Sequence, residues 1–250
     1  MSRVEWAPAA GLTPEEGLAL LEEGDVEVLG LLPYSSNYVF LTKVTRGETE
    51  SLAVYKPRRG ERPLWDFPAG SLAAREVAAF IVGRAAGWDF VPPTVMRMDA
   101  PLGAGSLQLF IEHDPDRHFF VLMEEVKQRP QLAAMAAFDI AINNADRKGG
   151  HVLEGEDGRL WAVDHGLSFN VEPKLRTVIW GFAGDELDEA TRAALHSLRE
   201  ELKGGGLEAR LDELLSAPEV AETLARVEMF LRAGHYPHPS GPYSMPWPLV

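Results

Sequence analysis

The residues best suited to chemistry sit in one stretch, "NNADRKGGHV" from Asn143 to Val152, and in "VDHGLSF" just beyond it, with Asp164 thirteen residues after His151. Asp146 is expected to follow a core helix and Asp164 a strand, with a short hairpin between them. Two carboxylates so placed can meet around one divalent cation and one phosphate. The first then accepts the proton of an attacking hydroxyl, and the second grips the metal that bridges the phosphates. Taken singly, each acid is as readily a turn residue or a helix cap. Lys148 can neutralise charge on a transferred phosphoryl group or be a solvated loop lysine, and Gly149-Gly150 after it predicts mobility. Arg147 suits either a phosphate or a buried ion pair.

Two further residues gain meaning as a pair. Lys56, in "SLAVYKP", ends a strand, and Glu76 lies little more than one turn into the helix that follows. Each alone reads as a solvated surface charge. A strand lysine held by a helix glutamate is also how kinases fix ATP phosphates.

The elements that must position these residues are legible in outline. "LTPEEGLALLEEG" starts a helix with Thr13 as cap and Pro14 at its first position, and Gly24 stops it. "DVEVLGLL", "NYVFLTKVT" and "SLAVYK" predict a three-strand antiparallel meander with turns at "PYSS" and "RGETE". After a Pro/Gly-rich loop, "SLAAREVAAFIVGRAAG" predicts a helix from Ser71 as cap to Gly87 as stop. "VPPTVMRM" reads as extended, "SLQLFIEHD" as a buried strand, and "PQLAAMAAFDIAINN" as a core helix. "HVLEGEDGRLWAVDHG" is a hairpin, with Gly166 expected to let the chain turn sharply after Asp164. Helical patterns dominate from Asp185 to Gly234, and the proline-rich segment after them should run extended over the surface. The change from strand-rich to helix-rich composition predicts an α+β, two-lobed plan, divided as residues 1–112 and 113–250.

Bulk composition narrows the function classes. The net charge of −14 repels nucleic acid and anionic lipid at long range. No cysteine is present, which excludes disulfides and thiolate sites. No apolar run is long enough to span a bilayer, and the N-terminus lacks a basic segment followed by an apolar core. These features lead us to expect a cytoplasmic protein with no integral membrane association and no nucleic-acid partner.

Together, "NNADRKGGHVL", "WAVDHGLSF", "SLAVYKP", "AAREVAAFIVGRAAGWDFVPPTV" and "GSLQLFIE" resemble, in order, the motifs of the phosphatidylinositol 3-/4-kinase-like family. The type II phosphatidylinositol 4-kinases and a bacterial family of kinase-like proteins are the nearest in pattern. The resemblance covers most of residues 25–170. It implies a protein-kinase-like fold, with a strand-rich N-lobe carrying the ATP-phosphate lysine and a helical C-lobe carrying the catalytic loop. By that resemblance Asp146 is the catalytic aspartate, Lys56 the ATP lysine with Glu76 its partner, and Asp164 a metal ligand. The "LLPYSSNYVF" turn implies phosphate contacts from Ser35, Ser36 and Asn37. Phe110, Ile111 and Glu112 imply a hinge against adenine. His151 departs from the pattern, since the family has a metal-ligating asparagine there. Imidazole favours ions softer than Mg²⁺, so Mn²⁺, a weaker second metal or none at all remain open, as does metal ligation by Asn143 or Asn144.

The implied function is an ATP- and Mg²⁺- or Mn²⁺-dependent phosphotransferase acting on a hydroxyl of a protein, a soluble small molecule or an inositol lipid. The alternatives are a nucleotide-binding pseudokinase that serves as an interaction module, and a protein nucleotidyl transferase. "PDRHFF", which also carries Asp-Arg-His, reads as a loop after the hinge. Lys174 and Arg176 read as exposed, and His235 and His238 as surface residues.

Overall fold

A computed structural model describes residues 12–33, 37–241 and 243–250. The described residues open with α1 (Pro14–Glu23) and the strands β1 (Asp25–Leu31), β2 (Phe40–Arg46) and β3 (Thr49–Pro57). α1 opens with a reciprocal capping box. The Thr13 hydroxyl accepts from the Glu16 N–H, and the Glu16 carboxylate accepts from the Thr13 N–H. Next come α2 (Leu72–Ala85), β4 (Thr94–Arg97) and β5 (Gly105–Leu109). The predicted meander is thus part of a larger antiparallel sheet, ordered β1-β2-β3-β5-β4.

The period-two alternation of β3 decides what faces the site. Ala53 and Tyr55 are buried in the core beneath α1, with Leu20, Leu21 and Leu107. Val54 and Lys56 therefore point to the opposite face, where α2 lies. α2 is alanine-rich and buried along residues 72–83. Ser71 occupies the predicted cap position, but its hydroxyl donates to the Pro68 carbonyl. The Glu61 carboxylate caps the helix instead, accepting from the Ala73 N–H at 3.0 Å. Gly87 ends the segment in the left-handed region, at φ +73°.

The second half is built on α4 (Arg129–Ile142), preceded by the short helix α3 (Phe119–Leu122). "PDRH" is a loop as expected, while Phe119 and Phe120 already belong to α3. A two-stranded hairpin follows, β6 (Val152–Glu154) with β7 (Leu160–Ala162). The chain then runs through α5 (Glu189–Gly204), α6 (Leu207–Asp212) and α7 (Ala217–Ala233). One apolar core joins α2, α4, the hairpin and these helices, with Phe138, Met135 and Leu198 fully buried. Residues 243–250 return to the middle of the molecule. There the Ser244 carbonyl accepts from the Thr177 N–H and the Trp180 indole, at 3.1 and 3.0 Å.

Candidate active site

Between the sheet and the helical half lies a cleft of about 1040 Å³. Of the residues singled out in the sequence, Asn37, Lys56, Glu76, Phe110, Ile111, Asp146, Lys148, His151 and Asp164 line it. Ser35 and Ser36 lie outside the described residues. Glu112 does not line the cleft. It is exposed, and His113 takes its place, with Nδ1 donating to the Ile111 carbonyl at 2.8 Å.

Lys56 stands between two acids. Its Nζ is 2.5 Å from Glu76 Oε1 and 2.9 Å from Asp164 Oδ1. Burial opposes the ammonium charge, but the Asp164 and Glu76 carboxylates outweigh it and raise the lysine pKa. Glu76 also accepts the backbone N–H groups of His165 (2.9 Å) and Gly166 (3.1 Å). The strand lysine, the helix glutamate and the segment after the hairpin thus form one hydrogen-bonded unit.

Asp164 itself adopts φ +60°. A non-glycine residue in the left-handed region is uncommon and is found where the surroundings enforce it. The sharp turn expected of Gly166 is therefore made two residues earlier. A Cβ on Gly166 would lie 3.4 Å from both Glu76 Oε1 and Leu72 Cβ, under the first turn of α2. Burial works against the charge of Asp164, yet Lys56 and His151 hold its carboxyl well below the usual range.

The loop after α4 is rigidly made. Asn143 ends the helix at φ 54°, its amide donating to the Asn170 and Glu172 carbonyls and accepting the Lys174 N–H. Asn144 donates to Asp139 and accepts the Asp146 N–H. Both amides are committed to the scaffold, which removes them as metal ligands. Arg147 resolves to the buried ion pair. It forks onto both oxygens of Asp139 and reaches the carbonyls of Val163 (2.7 Å) and His151 (3.3 Å). One guanidinium thereby ties the loop of Asp146 to the strand end of Asp164.

Lys148 is not loose. Its Nζ is 2.9 Å from Asp146 Oδ2, and the Gly149 N–H after it donates to the Leu249 carbonyl at 2.7 Å. Gly149 is needed there, because a Cβ would press on the Phe120 ring at 3.0 Å and on that carbonyl at 3.2 Å. Burial raises the Asp146 pKa, with Lys148 partly offsetting it. His151 is pushed down to about 4 by burial and so is neutral at ordinary pH. Its Nδ1 accepts the Lys148 N–H (3.4 Å), which leaves the ring proton on Nε2, facing Asp164 Oδ2 at 3.3 Å.

The donor set suits a divalent ion in part. Asp164 offers a half-exposed carboxylate to the cleft, and His151 can serve only in its other tautomer. Among the described residues no three histidine or acidic side chains gather closely enough to hold an ion by themselves. Any metal here would complete its shell with phosphate oxygens and water, the usual arrangement for Mg²⁺ at a nucleotide.

Sequence reasoning missed Val54, Leu153 and Val163, the apolar walls of the cleft, together with Pro248 and Val250 at its edge. The alternation of β3 could have given Val54. Nothing local marks residues 248 and 250. Lys174 is half-buried, 3.0 Å from Asp66 and 4.8 Å from the Trp65 ring centroid, whereas Arg176 is exposed as expected. No helix among the described residues is long and apolar enough to cross a membrane.

Comparison with solved structures gives the fold a type. Hydra Fam20 with sugar superposes with a TM-score of 0.54 at 15% identity, over 88% of this chain and 87% of that one. The Golgi casein kinase with Mn/ADP bound does so at 0.54 and 14%, over 88% and 74%. The Helicobacter pylori proinflammatory kinase CtkA does so at 0.51 and 9%, over 86% and 94%. The fold is two-lobed, α+β and kinase-like. No protein-family profile matches the chain. In sequence it is 39% identical over 263 aligned positions to protein Rv2133c of Mycobacterium tuberculosis, covering 92% of this chain and 94% of the relative. It is 27% identical over 203 positions to phosphatidylinositol 4-kinase gamma 4 of Oryza sativa, covering 66% of this chain but only 34% of that protein.

Proposed function

The chain belongs to the family of the Mycobacterium tuberculosis protein Rv2133c, and from that premise and the cleft we propose that it is an ATP- and divalent-metal-dependent phosphotransferase. The observation that carries this reading is Lys56, held at 2.5 Å from Glu76 and 2.9 Å from Asp164 in a cleft that also presents Asp146. In this reading Lys56 binds phosphate oxygens of ATP, and Asn37 lies in the turn that covers them. The purine sits among Val54, Leu153 and Val163, with its edge at Phe110 and Ile111. The Phe110 N–H is already given to the Leu52 carbonyl, so the edge is read by the neighbouring backbone groups.

Asp146 accepts the proton of the acceptor hydroxyl as its oxygen bonds to the γ-phosphorus and the bond to ADP breaks. Burial raises its pKa, which makes it a stronger base once ionised. Lys148, paired with Asp146 in the free protein, offsets charge on the transferred group. Asp164, with or without His151, would hold the metal, which supplies charge neutralisation on the phosphates when bound.

The finer lineage, a phosphatidylinositol 3-/4-kinase-like protein, is supported by the motif order and by the rice relative. An inositol lipid, a soluble small molecule or a protein is the acceptor. The Golgi casein kinase neighbour is named for a protein acceptor, which favours testing casein first. The assay is transfer of labelled γ-phosphate with Mg²⁺ or Mn²⁺, by wild type and by Asp146→Asn. Transfer that the substitution leaves unchanged would remove the catalytic assignment.

A second reading is a nucleotide-binding pseudokinase, favoured by His151 donating toward Asp164 instead of offering a free lone pair. ATP and metal would then raise thermal stability with no turnover and no adduct in intact mass.

A further inference from the structure

Beside Glu76 on α2 stands Arg75, and the two side chains grip the same stretch of chain from opposite chemical sides. Glu76 takes the N–H groups of His165 and Gly166. Arg75 gives Nη1 to the carbonyl of Ser168 at 2.6 Å. Its Nε donates to Ser71 Oγ at 3.2 Å, and its remaining nitrogen to the Glu219 carboxylate. Its guanidinium also lies 4.9 Å from the Phe67 ring centroid. Glu219 stands in the first turn of α7 and accepts the N–H and hydroxyl of Ser216, both at 2.8 Å. Arg75 is only 1% exposed.

A buried ion pair is a weak source of stability, because desolvating the two charges cancels most of their attraction. Its placement here fits a geometric task better. The fork joins α2, the segment just after Asp164 and the first turn of α7. We infer that Arg75 is a positioning residue for the nucleotide site: anchored by Glu219 and Ser168, it fixes the rotation of α2 so that Glu76 meets Lys56 before nucleotide arrives. In regulated kinases the placement of this helix is what switches the site on. Here α2 is tied from two adjacent residues to two separate parts of the helical half, which leaves it no free swing. The inference rests on Lys56 and Glu76 being the nucleotide pair.

The test uses the full chain and calorimetric titration of ADP with Mn²⁺. Arg75→Met combined with Glu219→Met replaces the pair with apolar side chains of similar length, an exchange that buried pairs generally tolerate. The expected result is a folded double variant, melting close to wild type, that binds ADP with Mn²⁺ roughly tenfold or more weakly. Arg75→Lys keeps the charge but cannot reach carbonyl and carboxylate together, and should fall between. A folded double variant that binds ADP as wild type does overturns the inference. If the double variant does not fold, Arg75→Lys decides, and wild-type affinity in that variant overturns it equally. Wild-type protein that binds no nucleotide removes the nucleotide-site reading, and this inference with it.

Discussion

The rings of His165 and Phe138 meet at 82° with centroids 5.4 Å apart, in a pocket that leaves His165 fully buried. Neither imidazole nitrogen has a hydrogen-bond partner among the described residues, and Nδ1 stops 3.9 Å from Glu76 Oε2. Burial, reinforced by the positive charges of Arg147 and Lys56, holds the imidazole pKa well below its usual value. His151 is pushed down to about 4, also by burial.

Acid should therefore weaken the fold early. Below the ordinary imidazole pKa of about 6.5 the unfolded chain takes up protons that the folded chain refuses. Because the unfolded state binds more protons, stability falls as pH drops. The slope is about 1.4 kcal/mol per pH unit for each of the two histidines. It should persist down to about pH 4 for His151 and further for His165. Urea denaturation in chelator, at a series of pH values from neutral downward, reads it. His165→Phe should stabilise the protein and flatten the slope by about half. An unchanged slope would mean that His165 is protonated in the folded state.

Breaking the fork of Arg147 on Asp139 should be costly. Both side chains are fully buried, so removing one partner strands the other charge. Arg147→Met is expected to lose about 3–5 kcal/mol and to depress transfer further, since the same guanidinium holds Val163 and His151. A loss below about 1 kcal/mol, the range of exposed pairs, would show that the fork is not what holds the loop.

Gly105→Ala should disturb the lysine strand from the neighbouring strand, at the first residue of "GSLQLFIE". Gly105 pairs with Pro57, and a Cβ there would come within 2.4 Å of the Lys56 carbonyl and 2.7 Å of Pro57 Cα. Backbone cannot yield as a side chain does, so β5 must draw away from β3. A stability loss of about 1–3 kcal/mol and weaker ADP binding are expected. Melting and nucleotide titration check both, and a variant that melts like wild type would contradict the contact.

Metal preference should depend on His151. Imidazole favours softer ions than Mg²⁺, so nucleotide should bind more tightly with Mn²⁺ than with Mg²⁺. His151→Asn should narrow that ratio by supplying an amide oxygen. Calorimetric titration of ADP with each metal measures it. An unchanged ratio would leave His151 as a hydrogen-bond donor to Asp164 and not a ligand.

How much was readable in advance follows from what each residue depends on. Lys56, Asp146 and Asp164 were found because each sits at the end of an element whose own pattern is strong, and such ends are where a scaffold presents side chains. Arg147 could not be settled, since its partner Asp139 lies inside the apolar run of α4 and looks like a helix-surface acid. Arg75 was passed over for the same reason. In "AAREVAAF" it reads as a solvated charge, and its acceptors at 168 and 219 lie on distant parts of the chain. The sharp turn falls at Asp164 and not at Gly166, because a glycine advertises a left-handed residue in the sequence and an aspartate at φ +60° does not.

The hydrogen bond from the Gly149 amide to the Leu249 carbonyl joins positions roughly a hundred residues apart. During synthesis the lysine strand, α2 and both aspartates emerge well before the acceptor for that amide exists. A nascent chain halted before residue 243 would hold every charged group of the cleft yet lack the brace beneath Lys148 and His151. Residues 243–250 thus bring to the loop an acceptor that the loop's own neighbourhood does not supply.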